Sequence, residues 1–165
     1  MALAKPNTQP IYTNTIINWD VRLTTQVTDR VLTTTPPEFI GTFGTFGGII
    51  WNIRAVPLGN NAPTTLRIFG ARTADSVISS YSLLFEVALP RIVSDVNASG
   101  LDLVGTNVAT DVHALSDVEV PLPRIYSRNT EESRGLVREG GYSLYASLGV
   151  AVASGWDLHL EGGEY

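Results

Sequence analysis

Hydrophobic and polar positions alternate with period two along several short runs of this chain. That period sends successive side chains to opposite faces of a strand. Trp19, Val21, Leu23, Thr25 and Val27 alternate with Asp20, Arg22, Thr24 and Gln26. Near the C-terminus Tyr142, Leu144, Ala146 and Leu148 alternate with Ser143, Tyr145 and Ser147, and Trp156, Leu158 and Leu160 alternate with Asp157, His159 and Glu161. Each run reads as a half-buried strand. The short glycine-bounded link over residues 149–155 predicts that the last two runs pair as antiparallel neighbours.

The other strands are less regular. Residues 11–17 predict a first strand. Residues 33–37 hold three threonines, then Pro36 and Pro37, and proline cannot donate a ladder hydrogen bond, so a loop or sheet edge is expected. GTFGTFGG, residues 41–48, lacks the glycine spacing of a dinucleotide fingerprint and reads as a turn or bulge-rich approach to a strand. Residues 49–56 are apolar almost throughout, which predicts a central strand with Trp51 and Ile53 on one face and Ile50 and Val56 on the other. The turn residues of LGNNAP, 58–63, return the chain as TTLRIF, 64–69, a second expected hairpin. LLFEVAL, 83–89, is a strand closed by Pro90. Residues 71–80 are polar with room for one helical turn, 91–117 read as a long excursion with one short strand, 118–122 as another strand, and 127–141 as a charged surface loop.

Roughly seven to nine short strands without a long helix predict an all-β protein. The expected architecture is a single-domain antiparallel β-sandwich of the jelly-roll kind over residues 11–165. Residues 1–10 (MALAKPNTQP) are polar, carry Pro6 and Pro10, and read as an extended N-terminal arm.

Composition adds a hint about surfaces. Charged residues make up 16% of the chain, against roughly 25% in typical soluble domains. Ten of the eleven basic residues are arginine, with Lys5 the only lysine. Arginine is enriched and lysine depleted in protein interfaces, because guanidinium is weakly hydrated and pairs in a plane. Part of the surface is therefore expected to be covered by partners. A net charge of −5 argues against binding a phosphate backbone. There is no cysteine for disulfides or thiolate metal sites. Residues 1–10 lack the apolar stretch of a secretory signal, and no apolar run approaches the roughly 20 residues that span a bilayer.

Candidate chemistry is sparse. His113 and His159 are the only histidines, fewer than a jelly-roll metal enzyme needs, and His159 alternates with Asp157 and Glu161 on an expected exposed face. Asp111, His113 and Ser116 have the residue types of a hydrolase triad, but a triad is recognised by geometry, and no Gly-x-Ser-x-Gly elbow is present. DVNASG, residues 95–100, matches the first half of a calcium loop, yet the twelfth position is Thr106 instead of a bidentate Glu; an Asx turn explains it equally, and calcium binding over residues 95–102 stays open. Asn97-Ala98-Ser99 fits a glycan sequon without a signal peptide to expose it. Glu131, Glu132, Arg134, Arg138 and Glu139 read as a solvated charge cluster or as a source of inter-subunit salt bridges. Trp19, Trp51, Trp156 and the six tyrosines could make a sugar platform, but the strand patterns around the tryptophans assign these to core packing. No catalytic, cofactor-binding or metal residue is assigned, and no enzymatic activity is expected.

TTLRIF after the GNN turn, LLFEVALP, and the closing YSLYASLGVAVASGWDLHLEGGEY together resemble small capsid-associated proteins of tailed bacteriophages. The resemblance spans residues 49–89 and 140–165 and rests on strand and glycine patterns. It implies a non-enzymatic cement or decoration protein without a cofactor, located on the capsid exterior of the virion. Its implied partners are the major capsid protein and further copies of itself, as a homotrimer, with no nucleic acid and no membrane. The alternative is a carbohydrate-binding or receptor-binding β-sandwich domain of a phage tail. Arms like residues 1–10 gain affinity only when a partner orders them. Deleting residues 1–9 is expected to leave thermal unfolding of the free domain unchanged while weakening assembly; a deletion that unfolds the domain would assign the arm to the core.

Overall fold

The computed structural model describes residues 15–24, 26–28, 30–32, 35–72, 80–93, 111–113, 118–122, 124–125 and 133–165. Among these lie thirteen strands: β1 (Thr15–Leu23), β2 (Glu38–Thr42), β3 (Gly48–Pro57), β4 (Thr64–Arg72), β5 (Ser82–Leu89), β6 (Arg91–Val93), β7 (Asp111–His113), β8 (Val118–Glu119), β9 (Arg124–Ile125), β10 (Ser133–Arg134), β11 (Leu136–Arg138), β12 (Tyr142–Leu148) and β13 (Trp156–Glu164). The chain is all-β, as the alternation predicts. Two antiparallel sheets form a sandwich. The first runs β1-β13-β3, with β11 and β8 sharing the far side of β3. The second runs β2-β12-β4-β5. The small pair β6-β7 is parallel, an exception to the expected antiparallel pairing. The proposed arm, residues 1–10, lies outside the described residues.

Period-two patterning sets the inner faces. On β1, Ile17 and Leu23 are buried and Trp19 and Val21 pack against the core, while Ile16, Asn18, Asp20 and Arg22 point outward or lie exposed. On β13, Trp156, Leu158 and Leu160 are buried. They meet Leu66, Ile68, Leu144, Ala146 and Leu148 from the second sheet in one cluster. Each large side chain buried there contributes roughly 1.5–3 kcal/mol. The edge of the core near β2 is closed by Phe43, which sits edge-on to Trp19 with ring centroids 5.1 Å apart.

Several sequence expectations change. The two runs read as separate N-terminal strands are one strand, β1, within the described residues. EFIGT forms β2 where only proline loop and glycine turn were expected. Residues 127–141, read as loop, contain β10 and β11, and β11 joins the first sheet with Leu136 buried opposite Ile50. Neither expected hairpin exists. β3 and β4 belong to opposite sheets, and so do β12 and β13.

Hydrogen bonds between the two connections explain why. Asn61, 2% exposed, donates its side-chain amide to the Gly155 carbonyl at 2.7 Å and accepts from the Ser154 amide at 3.2 Å. The Leu58 amide also donates to the Gly155 carbonyl, at 3.1 Å, and the Ser154 hydroxyl donates to the Asn60 carbonyl. Thr64 and Val150 exchange hydrogen bonds through the Thr64 hydroxyl. Gly155 adopts φ +85°, a left-handed turn that side chains rarely tolerate. The segment 149–155 thus bonds to the 58–64 segment rather than folding β12 onto β13, and both connections bridge the sheets. Removing a buried hydrogen-bonding group strands its partners, at about 1–3 kcal/mol. Asn61→Ala and Asn61→Asp, the latter lacking the donor to Gly155, should each lower unfolding free energy by about that amount in urea titration. An unchanged midpoint in both would show that this latch does not hold the connections.

Candidate functional site

The outward faces of the two sheets differ. The four-stranded sheet is covered by its own chain: Phe69, which faces away from the main core, is fully buried beneath Val27 and Leu32. The Val27 amide bonds the Leu148 carbonyl at 2.9 Å, and Arg67 donates to the Val27 carbonyl. Arg67 and Arg30 both pair with Glu86, each at 2.7 Å. Tyr81 and Phe39 pack edge-on to Tyr145 at 4.6 and 5.5 Å. Burial first, then the hydrogen bond with Tyr145, raises the Tyr81 phenol above its usual pKa.

The five-stranded sheet presents an open face, organised in rows by its register. Ile16, Gly163, Ile49 and Val137 form one row across β1, β13, β3 and β11. Asn18, Glu161 and Asn52 form the next; Asp20, His159, Arg54 and Glu119 the third; Arg22, Asp157 and Val56 the fourth. The first row is apolar, with Ile16 and Val137 exposed. The others carry charges that pair across strands. Arg22 donates to Asp157 at 2.9 Å, His159 bonds Asp20, and Arg54 lies 3.5 Å from Glu161. The hydrogen bond and charge of Asp157 hold the Arg22 guanidinium above its usual pKa.

A bulge interrupts this regularity. Glu161 pairs with Asn52 and Gly162 with Ile50, so Trp51 is an extra residue on β3. A bulge bends its strand and re-aims side chains. Here Ile50 and Ile53 both point inward, while Trp51 and Asn52, adjacent in sequence, both lie on the outward side. Gly162 is required opposite, because a Cβ there would stand 2.3 Å from the Ile49 carbonyl oxygen. Trp51 is 43% exposed and, with Asn52, Arg54 and Glu119, lines an open hollow of ≈ 470 Å³. Glu161 holds two of these groups, accepting from Asn52 at 3.1 Å and from Arg54 at 3.5 Å. A second hollow of ≈ 390 Å³ follows Asp20, Val21, Arg22, Asp157 and His159.

The residues singled out by sequence distribute as follows. Trp156 is buried in the core and Trp19 packs at its edge, as expected, but Trp51 is not a core residue: the bulge turns it outward, and Ile53 takes the inner position. His159 lies on the outward side, as its alternation predicted. Among the described residues no three histidine or carboxylate side chains converge as metal ligands. Asp111 and His113 lie on β7, and Ser116, residues 95–106, Glu131 and Glu132 lie outside the described residues. Of the charge cluster, Glu139 pairs with Arg72, and Arg138 lies over the Tyr142 ring at 5.3 Å. The sequence reading missed Asn52, Arg54, Glu119 and Glu161 as companions of Trp51. The signal available was the Gly162-Gly163 pair interrupting an alternating strand, a mark of a bulge. No family model, curated protein or solved structure matches the chain.

Glu86 ties Arg30, in the segment that covers the four-stranded sheet, to Arg67 on β4. Hydrogen bonds from Arg67 and then Arg30 hold its carboxyl below the usual carboxylate range. A folded pKa below the unfolded one contributes stability above the unfolded value, lost as pH falls through the folded one. The thermal midpoint of the native chain should therefore drop more steeply than that of Glu86→Gln as pH falls below the ordinary carboxylate range. Parallel midpoint-against-pH curves would remove Glu86 from this role.

Proposed function

We propose that this chain is a non-enzymatic structural protein of a virion, a decoration protein that binds the outer capsid surface through the major capsid protein as a homotrimer. Its strand order supports this reading. Successive strands β1 to β4 alternate between sheets, and β12 and β13 insert at matching positions in the two sheets. We take that order as a jelly roll, an architecture that serves viral capsids among other uses. The interior between the sheets is filled by side chains of both, so recognition falls to the outer surface.

The observation that carries the proposal is the hydrogen-bonded loop end. The 58–64 and 149–155 connections are bonded to one another through Asn61, Ser154 and Gly155. They nevertheless expose Leu58 and Val150, at 38% and 51%. Apolar side chains held on pre-ordered loops lose little further freedom on docking, which favours affinity. A decorating protein gains stability for the shell because it binds only the assembled surface.

Undecorated heads mixed with purified protein and pelleted should carry it down at micromolar concentration. Leu58→Asp with Val150→Asp should reduce the bound fraction about tenfold or more while leaving unfolding unchanged. Light scattering on a sizing column should report three chain masses. Failure to co-sediment would overturn the capsid reading, and retained binding in the double variant would move the contact off this loop end.

A further inference from the structure

The hollow beside Trp51 has the make-up of a small-ligand site, independent of any role in a shell. We infer that it binds a neutral pyranoside, a sugar unit of a surface glycan, by stacking on Trp51 and hydrogen bonding to Asn52, Arg54 and Glu119.

The site is built on the bulge in β3. In a regular strand Asn52 would point opposite to Trp51; the extra residue brings an indole and an amide to the same side. Such re-aiming is conformationally demanding and requires Gly162 on the neighbouring strand. The indole is left 43% exposed, although Trp156 and Trp19 show that the core accepts tryptophan. A pyranose has an apolar C–H face and a rim of hydroxyl groups. An exposed indole suits the face, and planar amide, guanidinium and carboxylate groups suit pairs of neighbouring hydroxyls.

Two of the polar groups, Asn52 and Arg54, are also held in place. Glu161 accepts from Asn52 and from Arg54 with its two oxygens. An amide donating one N–H to Glu161 still offers a second N–H and its carbonyl oxygen. Side chains already oriented pay less entropy on binding. The hollow, at ≈ 470 Å³, falls within the roughly 300–1,000 Å³ of small-ligand sites. Beyond Trp51 the apolar row of Ile49 and Val137 continues the surface, and can receive the methyl of an N-acetyl or deoxy group.

Charge sets the class. Glu119 and Glu161 outnumber Arg54, and Arg54 already faces Glu161 at 3.5 Å. A carboxylated sugar would bring a third negative charge beside two, so sialic and uronic acids are disfavoured and neutral hexoses and N-acetylhexosamines favoured.

The test uses the full chain in solution, with no capsid present. Trisaccharides of N-acetylglucosamine, galactose, glucose and mannose are titrated to about 10 mM, the range of weak single-site binding, following tryptophan fluorescence and saturation-transfer NMR. At least one neutral sugar should saturate. Trp51→Ala should weaken it by about tenfold or more, and Trp51→Phe by less, since the ring face is kept. A sialylated form of the bound sugar should bind about tenfold more weakly than its neutral parent. Each variant is compared at an unchanged thermal midpoint. No saturation by any sugar, or equal binding by Trp51→Ala, would overturn the site; equal binding of the sialylated form would overturn the neutral class. If no sugar binds and Trp51→Ala abolishes pelleting with undecorated heads, the hollow is a protein contact and the proposal falls. Failure of the parent protein to pellet leaves the sugar titration unaffected.

Discussion

The C-terminal strand carries the first sheet. β13 is paired along nine residues to β1 on one side and along nine to β3 on the other. Backbone groups in a buried sheet must find partners, so β1 has no place in this sheet until β13 lies beside it. β13 is therefore the strand that joins β1 to β3. Its inward residues, Trp156, Leu158 and Leu160, also fill the centre of the sandwich. Almost everything else is arranged around that insertion: β12 must cross to the opposite sheet so that β13 can enter, and the 149–155 connection must hold that crossing. Pairings so distant in sequence make folding slow relative to local hairpins.

This also explains what the sequence disclosed. Face assignments along β1, β12 and β13 were legible, because alternation reports which side chains must leave water. Partner assignments were not, because the same alternation is satisfied whether the next strand pairs or crosses. The choice at 149–155 rests on Asn61, 94 residues before Gly155 and legible in the sequence only as a turn residue; its amide meets Gly155 in three dimensions only. β2 was hidden because Glu38-Phe39-Ile40-Gly41-Thr42 is short and abuts glycines that resemble a turn. Trp51 was misassigned for a different reason. Regular alternation puts Trp51 and Ile53 on one face, and a single extra residue on β3 reversed the faces beyond it.

The two outward faces show how a sandwich divides its labour. One is covered in part by the chain itself, with Arg67 and Arg30 converging on Glu86 and Phe69 buried beneath Val27 and Leu32. The other pairs Arg22 with Asp157 and Arg54 with Glu161 across strands, yet carries an apolar row and an outward tryptophan. Exposed apolar surface rimmed by polar groups marks a place of recognition more often than an accident of packing. The candidate site lies on the second of these faces, and among the described residues no three potential metal ligands gather there.

The pairing of Thr15 with Glu164 has a mechanical consequence. In an antiparallel pair the hydrogen bonds lie across the strand axis. A pull on Thr15 along β1, resisted at the far loop end, would load all nine pairs in shear together, and they would have to yield as one. A pull separating Thr15 from Glu164 would load the outermost pair first and peel the strands apart singly. The same strand is thus strong along its length and weak at its lip. A chain tethered through its N-terminal side and held at its loops would bear tension in the stronger of the two directions.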